Sequence, residues 1–213
     1  MTASAPDELC EAAAIFYQRG YAFGSTGNLS VRTQNCVWIT PTGRSLRKLR
    51  PHDLACLDVD GKPLNENRPS KEYPLHIGAY RNRSERVSAI VHLHCTHAVA
   101  LSCLDELPGE DPLLAFTPYY LMRVAPLAVL PYFRPGSQEL ADAVAAAAAE
   151  HDCLLLRNHG VVCLGRALDE AVDRAEELEE TARLFFLLRH ERIRSLGANE
   201  QAEIRRVFAR SRA

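Results

Sequence analysis

Two histidines stand two residues apart in Ile90-Val91-His92-Leu93-His94. On a β-strand, positions i and i+2 share a face, which sets the two Cα atoms about 6.5 Å apart at a rise of about 3.3 Å per residue. Imidazoles at that spacing can converge on one ion at the usual zinc–nitrogen distance of about 2.0–2.1 Å. A third imidazole, His159, follows the apolar run Cys153-Leu154-Leu155-Leu156 within Arg157-Asn158-His159-Gly160. Three neutral imidazoles leave a tetrahedral ion one open position, the arrangement of a catalytic rather than a structural zinc. His97 competes as a ligand, because His94 and His97 have the i, i+3 spacing of a helix. It sits where a helix over 98–104 begins and reads as a residue either behind the ligands or lining the site.

Two further stretches offer donors to an anion. Gly24-Ser25-Thr26-Gly27-Asn28-Leu29-Ser30-Val31 is a Gly- and Ser-rich turn feeding a β-rich run, with free backbone N–H groups and short hydroxyls. Ser70-Lys71-Glu72-Tyr73-Pro74 opens a helix with proline in its first turn, and such an N-terminus favours a phosphate.

The elements that must position these groups alternate along the chain. A helical stripe over 7–19 stops at Gly20, and strands are expected at 37–40, closed by Pro41-Thr42-Gly43, and at 54–59. Residues 63–69 are polar and irregular. The helix from Ser70 runs to about Arg81, the central strand covers 89–94, and Phe116-Thr117-Pro118-Tyr119-Tyr120 and 130–136 read as aromatic- and proline-rich loops. An alanine-rich helix over 137–150, strands at 153–157 and 161–164, and a long amphipathic helix over 169–189 complete the series. In that last helix Glu176, Glu177, Glu179 and Glu180 read as a solvated face. Nothing divides the chain, so a single α/β domain over 1–213 is expected, with its core at about 8–190 and a C-terminal helix or tail at 191–213.

The bulk properties exclude several classes. The 213 residues are 47% hydrophobic and 24% charged, with a formal net charge of −2, ordinary values for a globular domain and no footprint for nucleic acid or an anionic membrane. Arg205, Arg206, Arg210 and Arg212 form a local basic patch read as a solvated tail. Seven cysteines without a Cys-x-x-Cys pair read as small buried hydrophobes in a reducing cytoplasm. No signal peptide or membrane-spanning stretch is expected.

In order, the set Gly27-Asn28, Thr42-Gly43, Ser70-Lys71-Glu72, His92-x-His94 and His159-Gly160 resembles the class II aldolase/adducin-head family, from about Glu8 to Arg189. Five stretches resemble its 3-oxo-tetronate 4-phosphate decarboxylase branch: Pro69-Ser70-Lys71-Glu72, Val91-His92-Leu93-His94, Ala100-Leu101-Ser102-Cys103-Leu104, Phe116-Thr117-Pro118-Tyr119, and Glu176 to Ala182. The resemblance implies an α/β/α sandwich around a mostly antiparallel sheet, commonly assembled as a homotetramer. It implies one Zn2+ per chain on His92, His94 and His159. It also implies a substrate phosphate held by Asn28, Thr42, Gly43 and Ser70, with Lys71 beside them. Glu72 matches the acid/base carboxylate, and Tyr119 matches a tyrosine that reaches the site of an adjacent subunit.

Two positions depart from the aldolases. Lys71 stands where they carry a second serine, and the Arg-rich end offers no match for their C-terminal tyrosine. The implied reaction is decarboxylation of a four-carbon β-keto acid phosphate to dihydroxyacetone phosphate, with aldolase, 4-epimerase and a non-catalytic adducin-like module as alternatives. For Glu72 to deliver a proton at neutral pH, its pKa should be raised. Lys71, Arg44 and Arg134 are the candidates to hold the substrate carboxylate.

Overall fold

The computed structural model describes residues 4–83, 86–107, 113 and 115–209; Arg210 and Arg212 lie outside them. Seven strands form one sheet in the order β3-β2-β1-β4-β7-β6-β5. They are β1 (Asn28–Arg32), β2 (Val37–Ile39), β3 (Ala55–Leu57), β4 (Ala89–Leu93), β5 (Leu127–Leu130), β6 (Cys153–Leu156) and β7 (Gly160–Gly165). Every neighbouring pair is antiparallel except β5 with β6. Strand alternation then divides the interior in two. Val91 and Leu93 of β4 pack on the face covered by α1 (Ala5–Gln18), α3 (Thr96–Ser102), α4 (Pro118–Arg123) and α6 (Leu168–Leu188). Ile90 of the same strand packs on the other face, under α2 (Tyr73–Asn82) and α5 (Gln138–Ala148). The result is an α/β/α sandwich in a single α/β domain, followed by α7 (Ala198–Ala209).

Local signals account for most helix ends. Ser4 caps α1 in a reciprocal box with Asp7, and Ser137 caps α5 by accepting from Leu140 N–H. Three sequence expectations need correction. The stretch expected as a loop at 116–120 contains the start of α4: Thr117 caps it, accepting from Tyr120 N–H, and Pro118 occupies its first position. Strand β5 is absent from the sequence expectations, because prolines at 126 and 131 frame it; an edge strand tolerates them, having one side free of ladder bonds.

The third correction concerns the acidic run of α6. Glu179 is buried rather than solvated, and its carboxylate accepts from the backbone N–H groups of His97 (3.0 Å) and Ala98 (2.9 Å) at the start of α3. His97 Nδ1 also lies 2.8 Å from Glu179, so this imidazole is tied to α6 and is not among the residues lining the pocket described below.

Candidate metal centre

The sheet brings the chemistry together on the α2/α5 side. Asn28 of β1 pairs directly opposite His92 of β4, and Ser30 opposite Ile90, so Asn28 and His92 share the face that α2 covers. His94 lies one residue past the end of β4, yet its ring still turns back to its neighbour. The Nε2 atoms of His92 and His94 are 3.1 Å apart.

His159 arrives from the β6–β7 turn, where Asn158 takes the left-handed conformation at φ 54°. Gly160 permits the approach: a Cβ there would fall 2.3 Å from the Leu93 carbonyl oxygen and 3.0 Å from His94 Cδ2. All three ring pairs stand with centroids 4.9 Å apart at steep angles, which aims three nitrogens at one point.

Glu72, at the head of α2, completes the group. Its Oε2 lies 3.2 Å from His92 Nε2 and its Oε1 3.1 Å from His159 Nε2. The ligand atoms of Glu72, His92, His94 and His159 all fall within 4.8 Å of one another. The fourth position, expected from the sequence to be open, therefore faces a carboxylate.

A divalent cation fits this set. His92 Nδ1 is 2.8 Å from the Val161 carbonyl, which can only accept, so the proton sits on Nδ1 and Nε2 presents a lone pair to the cluster. A ring nitrogen anchored to a backbone carbonyl is the usual support of a metal-binding histidine. Both ring nitrogens of His159 and Glu72 Oε1 are buried without a hydrogen-bond partner, a costly arrangement unless an ion satisfies it. Burial, with His92 and His159 adding to it, pushes His94 down to about 3, keeping that ligand neutral.

Glu72 runs opposite to expectation. Without an ion, burial raises its pKa, but positive charge on the neighbouring His92 and His159 rings outweighs that and holds the carboxyl well below the usual range; a cation in the cluster acts in the same direction. At rest it is an anion, suited to sit against a cation rather than to hold a proton.

A pocket of about 320 Å³ opens beside this cluster, lined by Thr26, Gly27, Asn28, Thr42, Gly43, Ser70, Lys71, Glu72 and His94 among others. The loop after β2 and the strand-like lead into α2 run side by side, bridged at Pro41 and Pro69 and tied by Ser70 N–H to the Thr40 carbonyl (3.1 Å). That pairing explains how Thr42-Gly43 and Ser70-Lys71, far apart in sequence, share one wall.

Asn28 is present, but its side-chain amide is engaged with Glu72 and His76. Tyr119, on α4, is 54% exposed and does not line the pocket of its own chain. Of the candidates for the substrate carboxylate, Arg44 lies 3.7 Å from Asp53, whereas Lys71 lines the pocket. His76 is a residue that sequence reasoning does not single out. A signal exists, since Glu72, His76 and Tyr80 recur every four residues along α2.

A family model for the class II aldolase and adducin N-terminal domain matches residues 7–186. The chain belongs to the class II aldolase and adducin family. Within that family, it is 47% identical to the 3-oxo-tetronate 4-phosphate decarboxylase of Haemophilus influenzae over 190 residues, covering 89% of this chain and 90% of the relative. The crystal structure of YgbL from Escherichia coli superposes with a TM-score of 0.90 at 43% identity, covering 94% of this chain and 97% of that one. An L-fuculose 1-phosphate aldolase superposes with a TM-score of 0.84 at 27% identity, covering 98% of each chain. A metal-binding cluster of three histidines and one glutamate is typical of this class II aldolase family.

Proposed function

We propose that this chain is a zinc-dependent 3-oxo-tetronate 4-phosphate decarboxylase with one ion per chain, held by His92, His94 and His159 with Glu72 at the remaining position. The carrying observation is the buried cluster of three histidines and a glutamate, opening onto a pocket whose wall bears Thr42, Gly43, Ser70 and Lys71. Its support is the 47% identity to a decarboxylase of that name over nine-tenths of both chains.

The bound cation supplies Lewis-acid stabilisation for negative charge developing on the substrate ketone oxygen. In a four-carbon 3-oxo acid the C1–C2 bond breaks, CO2 departs, and its electron pair enters a C2–C3 enediolate. A proton delivered to C2 then gives dihydroxyacetone phosphate. Thr42, Gly43 and Ser70 hold the phosphate, and Lys71, the exposed cation of the same wall, attracts the dianion or the departing carboxylate. Glu72 is the acid/base group. Being ionised at rest, it must first take up a proton, and displacement from the cluster by substrate is the event that lets it do so.

We assign this enzyme to the cytoplasm, in line with seven free cysteines and with described helices none of which is long and apolar enough to cross a membrane. A homotetramer is proposed, with Tyr119 of each chain facing the pocket of a neighbour; its exposure on α4 supports that role.

The test is metal analysis coupled to a gas assay. Purified protein should carry about one zinc per chain and release CO2 from 3-oxo-tetronate 4-phosphate, and His92→Ala should do neither. Unchanged turnover in that variant overturns the mechanism. Aldehyde formation from L-fuculose 1-phosphate without gas would move the chain to the aldolases, with which it shares the fold.

A further inference from the structure

Behind the metal centre, a row of buried polar side chains on α2 and β1 leads away from Glu72, and the chemistry above does not use the rest of it. Glu72, the N-cap residue of α2, and His76 and Tyr80 within it follow one another at every fourth residue, while Asn28 and Ser30 alternate on the facing side of β1. The two rows interlock. Tyr80 OH and Ser30 Oγ are 2.7 Å apart, Ser30 Oγ and His76 Nδ1 2.7 Å, and His76 Nε2 and Asn28 Oδ1 2.5 Å. Asn28 Nδ2 then donates to Glu72 Oε2 at 3.1 Å. His76 and Ser30 have no exposed surface, and Asn28 and Tyr80 are 3% exposed.

The direction of every bond follows from the last one. The Asn28 amide turns its NH2 toward the Glu72 carboxylate, which places its carbonyl against His76. That carbonyl only accepts, so His76 carries its proton on Nε2. A neutral His76 then accepts at Nδ1 from the Ser30 hydroxyl, which is left to accept from Tyr80, whose hydroxyl also reaches the Ser30 carbonyl at 3.1 Å. Burial pushes the His76 pKa down to about 3, with the charge of His92 adding to that and Glu72 opposing it, in keeping with the neutral ring that this row of hydrogen bonds requires. An amide cannot pass a proton along such a row, so the row positions groups instead of conducting protons.

We propose that His76 is a positioning residue: by locking the orientation of the Asn28 amide, it holds the Glu72 carboxylate against the metal-binding histidines in the geometry its acid/base role requires. Without the His76 N–H, the Asn28 amide is free to flip and present its carbonyl to the carboxylate, which repels it. The inference rests on the placement of Glu72 at the metal, and on the decarboxylase reading only for its kinetic arm.

Three measurements test it, on wild type and on His76→Gln, which keeps an N–H near the place of Nε2, and His76→Leu, which keeps bulk without a donor. In the zinc-loaded enzyme, kcat for CO2 release should fall about 10- to 100-fold in His76→Leu, the usual cost of losing a residue behind a metal ligand. KM should change far less than kcat, and His76→Gln should recover most of the rate. With cobalt(II) in place of zinc, the visible spectrum of His76→Leu should move toward that of Glu72→Gln, while His76→Gln resembles wild type. In metal-free wild type, 15N NMR should find His76 as the Nε2–H tautomer from about pH 5 to 8.

A His76→Leu variant with wild-type kcat and cobalt spectrum overturns the proposal, as does an Nδ1–H tautomer at residue 76, which leaves no N–H for the Asn28 carbonyl. Should the leucine variant not fold, the tautomer and the His76→Gln spectrum decide. Should wild type release no CO2, the decarboxylase reading fails while the tautomer and cobalt arms still judge this one.

Discussion

His76 has no exposed surface, and burial, aided by His92 and opposed by Glu72, takes its pKa down to about 3 from an ordinary 6.5. Below about pH 6.5 the unfolded chain binds a proton at this residue and the native chain does not, so stability rises with pH there and falls on acidification. The expected loss from this one group is about 1.4 kcal/mol per pH unit between about pH 6 and 3. Urea unfolding of wild type and His76→Gln at pH 7, 6 and 5 checks the sign. The variant should lose stability less steeply, and parallel slopes would remove His76 from the account.

The same scale shows what residue types disclosed. Two histidines in one apolar run and a third beside a glycine marked the ion. The ionisation of Glu72 was not legible, because its pKa depends on imidazoles twenty and eighty-seven positions away that only folding brings into contact.

Between elements, the closest tolerance is at Gly160, where β7 leaves the turn bearing His159 and meets the end of β4. A methyl group there meets the Leu93 carbonyl oxygen at 2.3 Å, and backbone cannot swing aside as a flexible side chain can. Gly160→Ala should cost about 3 kcal/mol and displace His159, so purified variant protein should hold well under one metal per chain by elemental analysis. A fully loaded and equally stable variant would show that the turn relaxes freely.

Glu179 joins α6 to α3 in a comparable way, accepting from His97 N–H at 3.0 Å and Ala98 N–H at 2.9 Å. Glu179→Ala leaves Ala98 N–H buried and unpaired. Chemical denaturation should record a loss of about 2–3 kcal/mol, whereas Glu180→Ala, on the exposed side of the same helix, should change little. The amphipathic pattern of α6 marks the helix but not this contact, since a glutamate in an acidic run reads as solvated until another element's N–H groups reach it.

For the whole molecule, the cluster couples metal to stability. In the metal-free state the orphaned nitrogens of His159 and the Glu72 oxygen stay unpaired in the interior, and a cation that binds only the folded chain relieves them. At a free zinc concentration about 1,000 times the dissociation constant, folding should gain about 4 kcal/mol. Thermal melts with and without a chelator should show that gain as a rise in Tm, reversed by chelation and restored by added zinc. Identical melts would mean that no ion binds the folded state preferentially.

Family resemblance alone pointed to Thr42 and Gly43 as part of the pocket wall; by itself the sequence determined the α/β class, most of the strands and helices, and the three imidazoles. These are written in local spacing: a period of two in strands, near four in helices, and caps and glycines at the ends. Only the tertiary structure decided that Glu72 meets the histidines, that Asn28 serves the carboxylate, that His76 stands behind both, and that Glu179 is buried. Each of those depends on which face of β1 meets which face of α2, or where α6 crosses α3. Hydrogen bonds and charge interactions act over a few ångströms in space, whatever the distance along the chain.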